Sequence, residues 1–241
     1  SSGKRHRLLS MDVLPRQAAD AVANMAADLM LLESYPSPKN IRFRAYAWSE
    51  PAFTFGVSQS WAKYREIVPA RYPLVRRSTG GGLVSHLDDW TFALVIPDGH
   101  PLFKADAMAS YAAVHEALLQ ALVIQGQPVK LAPMPAGTRE FQSPDDCAQR
   151  AEPNDLVRSD DGRKVAGAAQ KRTRSGLLIE GYIWRPFLPV CDWVRFENDF
   201  VQALSTVLKS PALPVPEPTY NQFDHEGTWG KFASREWNER I

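Results

Sequence analysis

The order of elements along the chain predicts an α+β fold, with a mixed, largely antiparallel central sheet flanked by helices. Strand patterns occur both singly and as hairpins between the helical stretches, whereas a doubly wound sheet would alternate strand and helix strictly. The chain has 241 residues, 44% of them hydrophobic and 10% aromatic, and no repeat or low-complexity tract. One core is therefore expected over residues 1–241, with 1–10 and 211–241 peripheral to it.

The elements follow from local pattern. Residues 16–33 carry Ala, Val, Met and Leu at helical spacing and predict a long amphipathic helix. IRFRAYAW (41–48) alternates as a strand does, PLVRRST (73–79) predicts a second strand and WTFALVIP (90–97) a well-buried third. Residues 105–125 place Met108, Tyr111, His115, Leu118 and Leu122 near one helix face, and Gly126 stands where a helix-terminating glycine belongs. From 127 to 154 prolines interrupt every pattern, which predicts a substrate-covering loop. DLVR (155–158) and RKVAGAAQKRTR (163–174) flank an Asp161-Gly162 turn and predict a hairpin, followed by a strand at 176–184. Residues 193–208 return to helical spacing, and PALPVPEP (211–218) is a stiff connector.

Twenty-eight basic residues against 27 acidic give a net charge of +1, so no global field recruits nucleic acid or an anionic membrane. There is no apolar run of spanning length and no secretory pattern, so the expectation is a cytoplasmic protein with Cys147 and Cys191 as free thiols.

RRSTGGGLVSH, Arg76 to His86, sets three glycines between two arginines and a histidine. Backbone without Cβ atoms lets a ligand approach closely and offers N–H groups to an acyl oxygen or a phosphate. Neither GxxxxGK[ST] nor a strand-to-helix GxGxxG is present, which disfavours the common nucleotide loops. In RKVAGAAQ, strict strand alternation puts Lys164, Ala166, Ala168 and Gln170 on one face. An ammonium over a floor of methyl groups suits a long aliphatic ligand whose carbonyl end is polarised, and desolvation would lower the lysine's pKa.

These segments together resemble one family. RRSTGGGLVSHLDDWTFALVIP (76–97), KVAGAAQKRTRSGLLIEGYI (164–183) and WSEPAFTFGVSQ (48–59) resemble the signatures of the lipoate-protein ligase and octanoyltransferase superfamily, over about residues 20–200. The related biotin ligases' GRGRxGR pattern is absent. The resemblance implies a biotin/lipoyl ligase-like fold in which Gly80, Gly81 and Gly82 wall an acyl tunnel and Lys164 meets the carbonyl end. Arg76, Arg77, His86, Ala166, Gly167, Ala168 and Gly181 complete the implied substrate-binding set, with no metal.

Two chemistries share such a scaffold. A transferase takes octanoyl from an acyl carrier protein thioester through an acyl-cysteine to a lysine of a lipoyl domain or the glycine cleavage H protein, with no cofactor. A ligase activates lipoate with ATP and Mg, and usually carries a C-terminal accessory domain; the sequence ends too soon after Trp184 for one, which favours the transferase. DCAQRAEPNDL (146–156) resembles the cysteine segment of one octanoyltransferase branch and RPFLPVCDW (185–193) more weakly that of another, so Cys147 is the expected nucleophile ahead of Cys191. Glu180 and Tyr182 stand where the family carries Gln or His and then Ser or Thr, which opens acyl length, acceptor choice or activity itself to change. A non-catalytic acyl-binding or assembly protein is the remaining alternative.

Overall fold

Long alternating strands recruit one another into a sheet, and short ones attach at its margins. The computed structural model describes residues 9–134 and 151–241. In chain order the first half runs β1 (Met11–Val13), β2 (Gln17–Ala19), α1 (Ala21–Glu33), β3 (Ile41–Trp48), β4 (Phe53–Phe55), α2 (Trp61–Ile67), β5 (Leu74–Arg76), β6 (Val84–Ser85) and β7 (Asp89–Ile96). The second half runs α3 (Pro101–Lys104), α4 (Ala107–Val123), β8 (Val129–Leu131), β9 (Leu156–Arg158), β10 (Lys164–Thr173), β11 (Gly176–Trp184), α5 (Trp193–Leu208), β12 (Ala212–Pro214), α6 (Gln222–Ala233) and α7 (Arg235–Asn238).

The large sheet has the order β12-β1-β3-β7-β11-β10-β9-β8, with β2 also paired to β3. Its centre is antiparallel from β3 through β8, and the β12, β1, β2 and β3 contacts are parallel, so the expected mixed, largely antiparallel sheet is present. A second sheet, β5-β4-β6, is smaller. On one face of the large sheet α4 and α5 bury Phe92, Leu118, Phe196 and Phe200, and on the other α1 buries Met25 and Leu29 against Ala93, Val95 and Leu178. Among the described residues no helix is long and apolar enough to cross a membrane.

Several boundaries differ from the sequence expectation for local reasons. The first helix begins at Ala21 rather than residue 16, because Asp20 caps it by accepting the Ala23 N–H at 2.8 Å while residues 17–19 pair with β3. The proline-broken regions each hide a three-residue strand: β8, and β12 with Pro214 at the sheet margin, where a missing N–H costs least. The segment 211–241, expected to be peripheral, buries Phe232 completely against the α1 layer.

Candidate active site

Thr91 on β7, Glu180 and Tyr182 on β11 and Ala169 on β10 face the small sheet, and a cavity of about 260 Å3 lies between the two. Met25 of α1 and Tyr46 of β3 also border it, and Lys164, Asp155 and Tyr111 stand together in its lining.

The glycine segment wraps an arginine. Arg77 is 5% exposed, and its Nη2 donates to the carbonyls of Gly80 and Gly82 at 2.7 and 2.9 Å. Closing the loop around a guanidinium puts Gly81 at φ +86°, a left-handed backbone that side-chain-bearing residues rarely adopt. Arg77 Nη1 donates to Thr54 Oγ1 at 2.9 Å, and Thr54 Oγ1 lies 2.7 Å from His86 Nε2, whose Nδ1 lies 2.6 Å from Asp89 Oδ2. Thr54 thus accepts from Arg77 and shares a hydrogen bond with the imidazole, whose other nitrogen meets the Asp89 carboxylate. The imidazole also stacks on Trp48 at 3.8 Å between ring centroids. His86 is thus one link in a line of fixed donors that holds the wall.

The lysine is held as firmly. Lys164 Nζ lies 2.9 Å from Asp155 Oδ2, with the two side chains 10% and 0% exposed. Tyr111 donates its hydroxyl to Asp155 Oδ1 and accepts the Ala168 N–H at 3.1 Å, and the Glu152 N–H donates to Asp155 Oδ2 at 2.7 Å. Burial alone would push the Lys164 pKa down, but Tyr182 and Asp155 outweigh it and raise it. This corrects the expectation of an easily deprotonated lysine: the group is a fixed cation, suited to stabilising an oxyanion and unsuited to acting as a base.

A bulge decides where that cation points. Lys164 pairs with Val157 and Ala166 with Leu156, so two residues of β10 span one step of β9, and Val165 and Ala166 are both buried in the α4–α5 core. Lys164 is thereby turned onto the face of Gly167 and Ala169, where a Cβ on Gly167 would lie 2.8 Å from Lys164 Cε and 2.9 Å from Nζ. The expected shared face of Lys164 with Ala166 and Gln170 is overturned by this extra residue. Among the described residues no group of three or more His, Cys, Asp or Glu is arranged to hold a metal ion.

Residues 20–185 match the family model described as the lipoyl protein ligase A/B catalytic domain. The chain belongs to that family. It is 32% identical over 220 residues to Octanoyltransferase LipM of Moorella thermoacetica, covering 89% of this chain and 75% of that protein. It is 30% identical over 170 residues to Octanoyltransferase LipM of Macrococcus caseolyticus, spanning 66% of this chain and 60% of that one. Among solved structures it superposes on a lipoate-protein ligase A bound with ATP at a TM-score of 0.73 and 16% identity, covering 96% and 99% of the two chains. A putative lipoate protein ligase from T. acidophilum with bound lipoic acid gives 0.71 at 17% identity, covering 96% and 100%. At those identities the likeness establishes the fold.

In this member of the lipoyl protein ligase A/B family, Arg77, Gly81, Gly82, His86, Lys164, Ala168 and Gly181 border the cavity, and Gly167 makes room for the lysine. Three expected substrate contacts lie elsewhere. Arg76 is fully buried on the other side of β5, where its side chain donates to the carbonyls of Val57, Gln59, Trp237 and Asn238. Gly80 is not among the residues that line the cavity and gives its carbonyl to Arg77, and Ala166 sits in the core. Cys147 lies outside the described residues. Cys191 is half-buried against the α4–α5 core, and burial, then Asp192, pushes its thiol up to about 11. Thr54, Tyr111 and Asp155 join the site without a sequence signal for that role: Asp155 stands in the DCAQRAEPNDL segment, Thr54 in WSEPAFTFGVSQ, and Tyr111 on the face of a helix whose pattern reads as core packing.

Proposed function

We propose that this chain is an octanoyltransferase that moves an octanoyl group from an acyl carrier protein thioester to a lysine of a lipoyl domain or the glycine cleavage H protein. The observation that carries the reading is the buried Lys164–Asp155 pair beside a narrow cavity walled by Gly81, Gly82 and Ala169. Such a cavity takes an aliphatic chain, and a cation held at one end takes its carbonyl. The relatives named Octanoyltransferase LipM support the same reading.

In the proposed reaction the Cys147 thiol gives up its proton and its sulfur attacks the thioester carbonyl, Lys164 stabilises the oxyanion, and the bond to the carrier sulfur breaks, the carrier thiolate taking up the proton. The acceptor lysine, as free amine, then attacks the acyl-cysteine, the bond to Cys147 breaks, and the proton lost by the new amide nitrogen returns to the Cys147 thiolate. Cys147 is preferred because the Cys191 thiol stays protonated at neutral pH and packs against the opposite face of the sheet.

The test is intact-mass measurement after mixing the protein with octanoyl-acyl carrier protein in the absence of ATP. An octanoyl adduct that persists in Cys191→Ser and vanishes in Cys147→Ser is expected. An adduct that survives Cys147→Ser overturns the nucleophile, and lipoate-dependent pyrophosphate exchange with either cysteine replaced overturns the transferase reading in favour of an ATP-dependent ligase.

A further inference from the structure

Three aspartates buried behind the cavity wall each have a basic side chain within ion-pair distance. Asp28 meets Arg44 at 2.5 Å, Asp155 meets Lys164 at 2.9 Å and Asp89 meets His86 at 2.6 Å, and the three carboxyl side chains are 1%, 0% and 1% exposed. Arginine and lysine are standing cations there, whereas imidazole is the side chain that ordinarily gains and loses charge near neutral pH. Asp89 Oδ1 is buried with no hydrogen-bond partner, so this carboxylate is served through Oδ2, by the imidazole and by the Thr91 hydroxyl at 3.1 Å. A carboxylate so placed can offset an imidazolium charge.

Thr54 couples that imidazole to the cavity. Both residues line it, and Thr54 is fully buried. Thr54 Oγ1 accepts from Arg77 Nη1 at 2.9 Å and lies 2.7 Å from His86 Nε2. A hydroxyl has one proton and two acceptor positions, and the guanidinium fills one of them. With Nε2 bare, Thr54 gives it a proton and keeps a lone pair. With Nε2 protonated, Thr54 accepts twice and its own proton turns elsewhere. The titratable groups facing this pair are Arg77, from the segment after β5, and Asp89 of β7, while Trp48 of β3 covers the ring.

The sheet sets the level of these groups in the cavity. Thr91, which donates to Asp89, is the cross-strand partner of Tyr182, and Tyr182 is hydrogen-bonded to Lys164. Asp89 and His86 are thus anchored at the end where the lysine would meet an acyl carbonyl. The lysine is a fixed cation and cannot take a proton, and Asp155 is committed to Lys164 and Tyr111. Burial, and next the Asp28 charge, keep Glu180 well above the usual carboxylate range, so it already holds one.

We propose that Asp89, His86 and Thr54 form a proton relay for acyl transfer. As the acceptor nitrogen bonds to the acyl carbon, its N–H proton passes to Thr54 Oγ1 while the Thr54 proton passes to His86 Nε2, and Asp89 offsets the imidazolium. When the carbon–sulfur bond breaks, the proton returns by the same path to the leaving sulfur, so the relay ends as it began. Lys164 meets the oxyanion and the relay moves the proton. This rests on the acyl-transfer reading above and adds the groups that carry its proton.

The experiment starts from octanoyl-enzyme made with octanoyl-acyl carrier protein, adds a lipoyl domain, and follows single-turnover transfer across pH for the unmodified protein, Thr54→Val and Thr54→Ser. Thr54→Val keeps the shape and removes the proton; transfer should fall by about 100-fold at neutral pH, the scale of a positioned acid–base group. Thr54→Ser, which restores a hydroxyl, should recover most of that loss. The ratio of the unmodified rate to the Thr54→Val rate should shrink as pH falls, because a protonated His86 takes up no further proton, whereas a lost packing contact gives a ratio that pH leaves unchanged. A constant ratio, or a Thr54→Val rate near the unmodified one, overturns the relay and leaves the acyl-transfer reading standing. Where melting curves show that Thr54→Val does not fold, His86→Gln, which keeps a polar partner for Thr54 and Asp89, is read by the same ratio. An unmodified protein that forms no octanoyl adduct, or whose adduct no lipoyl domain discharges, overturns the acyl-transfer reading and the relay with it.

Discussion

Lys164 reaches across Gly167 to set its Nζ 2.9 Å from Oδ2 of Asp155. The pair is an ionic contact inside the protein, and it helps keep the charge on the side chain proposed above to meet a substrate carbonyl. Asp155→Asn removes one of the two partners, Tyr182 being the other, that hold the lysine pKa up against burial, so the value falls. Acyl transfer should fall by roughly 100-fold near neutral pH, the scale of losing an oxyanion-stabilising group. The loss should deepen as pH rises through the lowered lysine pKa and ease as pH falls. Single-turnover rates of transfer from octanoyl-acyl carrier protein across pH check this, and a parallel profile in the variant and the unmodified protein would refute it.

Gly167→Ala tests the same geometry by steric means. The added Cβ would contact the flexible end of Lys164 at 2.8 and 2.9 Å, so the lysine moves and the backbone does not have to. The expected outcome is a melting temperature within a few degrees of the parent and a transfer rate reduced by about 10- to 100-fold, in line with the cost of misplacing a catalytic group. An unchanged rate would place the reacting carbonyl elsewhere.

Adjacent arginines should respond in opposite ways. Arg76 ties β5 to the C-terminal segment through the carbonyls of Trp237 and Asn238 and to the turn after β4 through those of Val57 and Gln59, and Trp237 Nε1 returns a hydrogen bond to the Arg76 carbonyl at 2.9 Å. Arg76→Ala should cost about 3 kcal/mol or more of stability, as buried carbonyls lose their donors, while octanoate affinity in the folded fraction is preserved. Arg77→Ala removes the centre of the glycine loop, so affinity for octanoate falls together with stability. Denaturant titration and calorimetry on both variants separate the two roles.

That contrast shows where the sequence was legible. Strands 41–48 and 176–184 and the helix at 193–208 agree with their patterns to the residue, because each is long enough for its period to be read. Arg76 ends β5 and Arg77 follows it, so the two face opposite ways, but which one borders the cavity depends on a small sheet that strands of two and three residues assemble. The β10 bulge was invisible for a related reason: an inserted residue leaves composition unchanged and reverses the face of everything before it. Tyr111 and Asp155 meet across 44 positions, a separation that no local motif spans.

His115 carries the last prediction, because the site's support extends into the α4 core. Its ring stacks on Tyr111 at 4.0 Å between centroids, its Nδ1 donates to the Tyr111 carbonyl at 2.9 Å, and its Nε2 is buried with no partner. Burial pushes its pKa down to about 4. In the unfolded chain the value is about 6.5, so above that pH neither state binds a proton and the full stability is present. As pH falls below about 6.5 the unfolded chain takes the proton first, stability declines by up to about 3 kcal/mol, and the decline levels off once the folded ring titrates near 4. Because Tyr111 holds Asp155, activity should decline over the same window. His115→Phe, which keeps the stacked ring and cannot take a proton, should remove this contribution from the acid limb of the stability curve. Urea titrations between pH 4 and 7 measure it, and an identical slope in the variant would show that other groups carry the acid sensitivity.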